Sequence, residues 1–164
     1  MIDDVQARMI ELLPRLRRFA FALTGDLDKA DDLVQDTCER ALGHLHQWQP
    51  GTKLDSWMYR IAQNLWLDRT RARKVRGEQV NVEAAEALAG ADGREVVESR
   101  LTLQAVSAAL GYLPDEQRVL IALVCIDGLS YKEAADITQT PIGTVMSRLS
   151  RARQMLRELL EVRP

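Results

Sequence analysis

Residues 127–153, DGLSYKEAADITQTPIGTVMSRLSRAR, decide how this chain folds. Gly128 suits the left-handed conformation that closes a helix, and Ser130 followed by Glu133 forms a capping box that opens the next one. That helix must be short, to about Ile137. Thr138-Gln139-Thr140 reads as a turn, and Pro141 sets the first turn of a longer helix to about Leu160. Two helices joined by a three-residue turn describe a helix-turn-helix. In the longer helix Val145, Leu149, Ala152, Leu156 and Leu159 or Leu160 share a buried stripe, whereas Thr144, Ser147, Arg148 and Arg151 share the opposite one. Such a free face suits a DNA major groove, where Arg reads guanine edges and Ser or Thr steadies phosphates. A capped helical hairpin with a basic outer face also occurs in proteins that bind no DNA, so geometry alone leaves both readings open.

Upstream of this hairpin almost every segment has the period of a helix and none alternates like a strand, which predicts an all-α chain. A first helix from about Val5 to Leu23 ends at Thr24-Gly25, with Pro14 expected to break or kink it. The second places Ala30, Leu33, Val34, Cys38, Ala41, Leu42 and Leu45 on one face and Asp28, Asp32, Gln35, Asp36 and Glu39 on another. The second face is an acidic row that a basic partner could recognise or that simply serves solubility. After Pro50-Gly51, a third helix carries Leu54, Trp57, Met58, Ile61, Leu65 and Asp68 along one mostly apolar stripe. Tyr59, Gln63, Trp66, Thr70 and Arg73 form a separate surface, read as aromatic and basic and leading into the arginine cluster. Residues 77–94 are acidic, Ala-rich and without large apolar periodicity, and read as a flexible linker. Val96–Leu110 and Glu116–Ile126 read as two more helices. The predicted organisation is two small helical domains, residues 1–76 and 95–164, the second a helix-turn-helix.

The chain of 164 residues carries 22 Lys and Arg against 24 Asp and Glu, a net charge of −2, which looks wrong for a protein that grips DNA alone. The distribution matters more than the sum. Arg69, Arg71, Arg73, Lys74 and Arg76 form one basic run, and Arg148, Arg151, Arg153 and Arg157 form another, both local footprints for nucleic acid. Either run by itself would be read as a solvated helix face. Cys38 and Cys125 lie in apolar patterns away from metal-ligand spacing, so buried thiols are expected. His44 and His46 read as partly exposed structural residues. The only paired carboxylates lie on a solvated helix and no Gly-rich phosphate loop exists, so no catalytic centre, metal or cofactor is expected. With neither a long apolar run nor a signal-like amino terminus, no membrane insertion and a cytoplasmic location are expected.

The segment Pro141 to Arg153 closely resembles the recognition helix of extracytoplasmic-function sigma factors, the sigma-70 family of bacterial RNA polymerase subunits. Leu113-Pro114-Asp115-Glu116-Gln117-Arg118 and Asp127 to Ala135 resemble the rest of that family's fourth domain. Asp31 to Thr37 and Gly51 to Asn64 are similar to its second domain. The resemblance covers nearly the whole chain. It implies a promoter-specific initiation factor that binds core RNA polymerase through Asp32, Gln35, Asp36 and Glu39, on the clamp of the largest subunit. It assigns the minus-35 promoter element to Thr144, Ser147, Arg148, Arg151 and Arg153. It assigns the minus-10 element to Trp48, Lys53, Asn64, Asp68, Arg69, Arg71 and Arg73, with Asn64 and Asp68 lining a pocket for one unstacked base. Taking that base out of the duplex costs a few kcal/mol, which the pocket helps to offset. An anti-sigma factor and a monomeric free state are further implications.

The sequence departs from the family at Gln139, where the turn often has Gly, and at Asp55, in place of a frequently basic residue. Two other readings use the same fold. A sigma mimic that titrates an anti-sigma factor need not keep the two arginine runs, and a conventional helix-turn-helix repressor requires a dimer surface that no heptad supplies.

Overall fold

The corner Thr24-Gly25-Asp26 sets the first packing angle. Gly25 adopts a φ of 70°, and its amide bonds to the Phe21 carbonyl at 2.8 Å. Asp26 then caps the next helix by accepting from the Lys29 amide at 3.0 Å. In this computed structural model, which describes residues 2–77 and 104–161, helix α1 (Ile2–Thr24) therefore turns directly into α2 (Leu27–Gly43). A short 3-10 turn (Leu45–Gln47) and a loop lead to α3 (Leu54–Arg76), which Gly77 ends in a left-handed conformation at φ 75°. The three helices pack on one another around Met9, Leu16, Phe19, Leu23, Leu33, Leu54 and Met58. Phe19 and Tyr59 meet edge to face, 5.2 Å between centroids.

Of the break or kink expected at Pro14, the break does not occur: α1 continues through it from Ile2 to Thr24. It is exposed, while Met9 on one side and Leu16, Phe19 and Ala20 on the other hold the same face of the helix against the core. Packing on both sides of the proline outweighs the one backbone hydrogen bond that it removes.

The second half begins with helix α4, residues 104–112, followed by α5 (Asp115–Leu120). The chain then continues into a wider turn, Ile121–Ile126, of π geometry: the Asp127 amide reaches back five residues to the Ala122 carbonyl at 3.0 Å. Helices α6 (Tyr131–Thr138) and α7 (Ile142–Glu161) complete it. The wide turn explains a second departure from expectation. It puts Ile121, Ala122 and Leu123 in the core consecutively, then releases the chain, so that Cys125 is exposed rather than buried. Cys38 is half-buried, and burial raises its thiol pKa. Both thiols are free.

The all-helical class holds among the described residues. The linker read at 77–94 and the helix start at Val96 lie outside those residues, Gly77 excepted. What the sequence did not disclose is that the two halves share one buried core, with α3 packed on α6 and α1 on the wide turn. The surface read as aromatic and basic is consequently buried: Tyr59, Gln63, Trp66 and Thr70 are each at most 7% exposed. Helical periodicity located the face correctly but could not say that a second body would cover it.

Candidate nucleic-acid interface

The helix-turn-helix is built by local chemistry. The Ser130 hydroxyl accepts from the Glu133 amide at 3.0 Å, and the Glu133 carboxylate accepts from the Ser130 amide at 3.2 Å, closing the capping box. These bonds, the Ser130 amide foremost, hold the Glu133 carboxyl below its ordinary pKa. At the far end Gln139 takes the left-handed conformation, φ 54° and ψ 43°, at the position where sequence comparison suggested glycine. Its amide and that of Thr140 return to the carbonyls of Asp136 and Ala135 at 3.3 and 3.1 Å, closing α6. The Pro141 carbonyl then accepts from Thr144 and Val145, which starts α7.

Val145, Leu149 and Ala152 are buried, and α5 and α6 are the helices against which α7 packs. Thr144, Ser147, Arg148 and Arg151 emerge together on the outer face, as the period required; Ser147 and Arg151 are exposed, Thr144 and Arg148 half-buried. Arg148 approaches Glu116 at 3.8 Å, a contact between partly exposed side chains that a phosphate or base edge can replace. Arg153 is not part of this group. Nine residues from Thr144, it lies half a turn around the helix. There it donates to the Tyr131 hydroxyl at 3.2 Å and approaches the Cys125 sulfur at 3.8 Å, contacts that raise its pKa.

The minus-10 candidates divide similarly. Asn64, Asp68 and Arg71 share an exposed face of α3 and Arg71 lies 4.0 Å from Asp68. Arg69 is turned toward α2, where it pairs with Asp36, so two residues given separate roles are partners. Arg73 is half-buried near the end of α3. Trp48 is half-buried under the Arg8 guanidinium, 5.7 Å from the ring centroid, and its indole N–H has no hydrogen-bond partner among the described residues. Lys53 precedes α3 and extends its ammonium to Glu133 at 3.4 Å. On α2, Asp32, Gln35 and Glu39 are exposed and Asp36 is half-buried, so the acidic row is present. It borders an apolar groove lined by Leu13, Phe21, Leu27, Val34 and Cys38. Among the described residues no cluster of three metal-ligating side chains occurs.

Four further residues went unnoticed as site residues. Arg118 is 7% exposed; its Nε donates to the Ala22 carbonyl at 2.7 Å, its guanidinium lies over Trp66, and burial lowers its pKa to about 10. The Asp127 side chain is fully buried, accepting from the Tyr59 hydroxyl at 2.6 Å and from Arg18 Nε at 3.3 Å. Arg60 donates to the Asp136 carbonyl at 2.9 Å. The signal for Arg118 was a cation directly before the apolar run Val119–Ile121; nothing local marked Tyr59 and Asp127, 68 residues apart, as partners.

Residues 9–76 match Sigma-70 region 2 and residues 103–156 match Sigma-70, region 4. The chain belongs to the sigma-70 family. The ECF RNA polymerase sigma factor EcfG of Rhodopseudomonas palustris is 38% identical over 98% of this chain and 87% of that protein. SigW of Bacillus subtilis, also an ECF sigma factor, is 30% identical over 96% of this chain and 90% of its own length. Among solved structures, the sigma factor RpoE in complex with the anti-sigma factor NepR from Bartonella quintana superposes with a TM-score of 0.76. It is 34% identical and covers 98% of this chain and 99% of that one. The chain is thus an ECF sigma factor, a promoter-directing transcription initiation factor. The two arginine-bearing surfaces fall one in each matched region.

Proposed function

We propose that this sigma factor docks on core RNA polymerase through Asp32, Gln35, Asp36 and Glu39 of α2, reads the minus-35 element with Thr144, Ser147, Arg148 and Arg151, and holds the minus-10 element with Trp48, Lys53, Asn64, Asp68, Arg69, Arg71 and Arg73. The observation that carries the reading is the outer face of α7, where two hydroxyls and two arginines emerge together on a capped helix-turn-helix. The apolar groove beside the acidic row supplies the buried contact that a polymerase helix pair requires, with the carboxylates at its rim setting orientation. Arg153 contributes by bracing α7 on Tyr131 rather than by touching DNA. The chain acts in the cytoplasm, as a monomer when free, without cofactor and without catalysis of its own. Among the described residues no helix is long and apolar enough to cross a membrane.

Control by an anti-sigma factor is part of the proposal, supported by the B. quintana relative, which was solved in complex with one. Run-off transcription with core polymerase over a genomic promoter library tests the whole reading. New start sites preceded by two spaced motifs are expected, and they should be lost in Arg148→Ala/Arg151→Ala. Polymerase that neither binds the chain nor gains start sites would move the assignment to a mimic that titrates an anti-sigma factor.

A further inference from the structure

Helix α1 carries two arginines seven residues apart, Arg8 and Arg15, nearly two full turns and about 10 Å along one face. Each lies over an aromatic ring. The Arg15 guanidinium is 5.6 Å from the Tyr59 ring centroid and 3.6 Å from the Asp55 carboxylate, and Tyr59 is buried, so that pair belongs to the core. Arg8 is different. It is exposed and its guanidinium meets no carboxylate among the described residues. The ring beneath it, 5.7 Å away, is Trp48 of the loop between α2 and α3.

That loop is built largely from bonds to itself and to the end of α2. The amides of Gln47 and Trp48 return to the His44 and Leu45 carbonyls at 2.9 and 3.2 Å. The Thr52 amide and hydroxyl both donate to the Gln49 carbonyl, at 3.1 and 2.6 Å, and Gly51 turns the chain at a φ of 97°. Such bonds fix the internal shape of the loop but not its place against α1. Close packing does not fix that place either: a cavity of about 320 Å³ opens there, lined by Arg8, Glu11, Leu12, Lys53, Leu54 and Asp55. Among the described residues the Trp48 indole N–H has no hydrogen-bond partner. What holds the ring is apolar packing on the core and the guanidinium of Arg8.

We infer that Arg8 is a positioning residue for the minus-10 loop. By lying on Trp48 it fixes the ring, and through the ring the stretch from Gln49 to Lys53, in the place from which promoter DNA is met. The inference rests on the minus-10 assignment of Trp48 and Lys53 above. It adds a residue of α1 that stands one position before the segment matching Sigma-70 region 2. Arg8 touches no DNA in this role. The attraction between a cation and an exposed indole is modest, so its loss loosens the loop without unfolding the helices around it.

The test measures the rate of promoter opening by the full chain with core polymerase, on a promoter found by run-off transcription. Arg8→Met keeps an apolar stem and removes the charge. It should slow opening about two- to fivefold, the factor that one exposed cation–π contact supplies, with melting temperature and affinity for core polymerase unchanged. Arg8→Lys should restore most of the rate, because an ammonium also lies favourably over an indole face. In a Trp48→Leu background, itself slow, Arg8→Met should add nothing. A second readout needs no promoter. With fluorinated tryptophan incorporated, the three tryptophans, Trp48, Trp57 and Trp66, each give a fluorine resonance, and Trp48→Leu identifies the first by its loss. Arg8→Met should move that resonance and leave the other two in place. A loss from Arg8→Met that persists in full without Trp48 would make Arg8 a direct DNA contact and overturn the proposal. So would a Trp48 resonance that Arg8→Met leaves unmoved, or an Arg8→Met chain that opens the promoter at the wild-type rate; in each case the minus-10 assignment of Trp48 stands. A Trp48→Leu chain that opens the promoter normally overturns that assignment itself, and the proposal with it.

Discussion

Replacing Tyr59 by Phe removes one oxygen atom from a short side-chain hydrogen bond between the two halves. The ring keeps its edge-to-face packing on Phe19 and its place beneath the Arg15 guanidinium, 5.6 Å away. What disappears is the 2.6 Å hydrogen bond to Asp127, leaving a fully buried carboxylate with Arg18 as its remaining partner. A hydrogen bond to a charged group is worth about 1.5–3 kcal/mol, and an unmet buried acceptor bears that whole cost. Tyr59→Phe should therefore lower the unfolding free energy by about 2 kcal/mol. Asp127→Asn isolates the interaction: in the cycle of Tyr59→Phe, Asp127→Asn and the double variant, the coupling should be about 1.5–3 kcal/mol. The assay is urea denaturation of the full chain at neutral pH, followed by tryptophan fluorescence and circular dichroism. One coincident transition is expected because the core is continuous across the halves. A coupling below about 0.5 kcal/mol, or two separate transitions, would refute the claim that this contact joins the halves into one cooperative unit.

Other outcomes follow from single residues. Gln139→Gly should raise stability by about 1 kcal/mol, read as a higher melting temperature, because only glycine takes a φ of 54° without a Cβ penalty. Burial raises the Asp127 carboxyl pKa against the opposing pull of Tyr59 and Arg18. The folded chain then holds a proton that the unfolded chain releases near pH 4, so this residue's contribution to stability falls as pH rises through that window. Denaturation midpoints across acid pH should show that slope in wild type and lose it in Asp127→Asn. Arg151→Ala should cost promoter-bound polymerase about 1–3 kcal/mol on its own minus-35 element and less on unrelated duplex, measured by filter binding at fixed salt.

The parts legible in the sequence are those specified over a few residues. Ser130, Glu133, Gln139 and Pro141 fix the helix-turn-helix by caps and a left-handed turn residue, and all four act as read. Thr144, Ser147, Arg148 and Arg151 emerge together because a period of 3.6 leaves them no other face. Arg153 shows the limit of reading charge runs by eye, since two residues beyond Arg151 is more than half a turn around the helix. Tyr59, Gln63 and Trp66 show a different limit. Their face was identified, but part of its covering comes from Arg118, Asp127 and Ile137, more than fifty residues away, and periodicity carries no information about partners at that range. Cys125 was misplaced because its burial depends on one wide turn, which no composition rule announces.

That wide turn also acts as a gauge of register. An ordinary helix through Ile121–Ile126 would need one residue fewer to arrive at the same point. Removing one residue there would rotate Asp127 by about 100° and carry it about 1.5 Å along the axis, away from Tyr59 and Arg18. The hydrophobic stripe of α5 and the capped hairpin beyond it would each survive such a deletion with their own chemistry intact. A single inserted residue thus separates the ability of the carboxyl-terminal half to fold from its ability to attach.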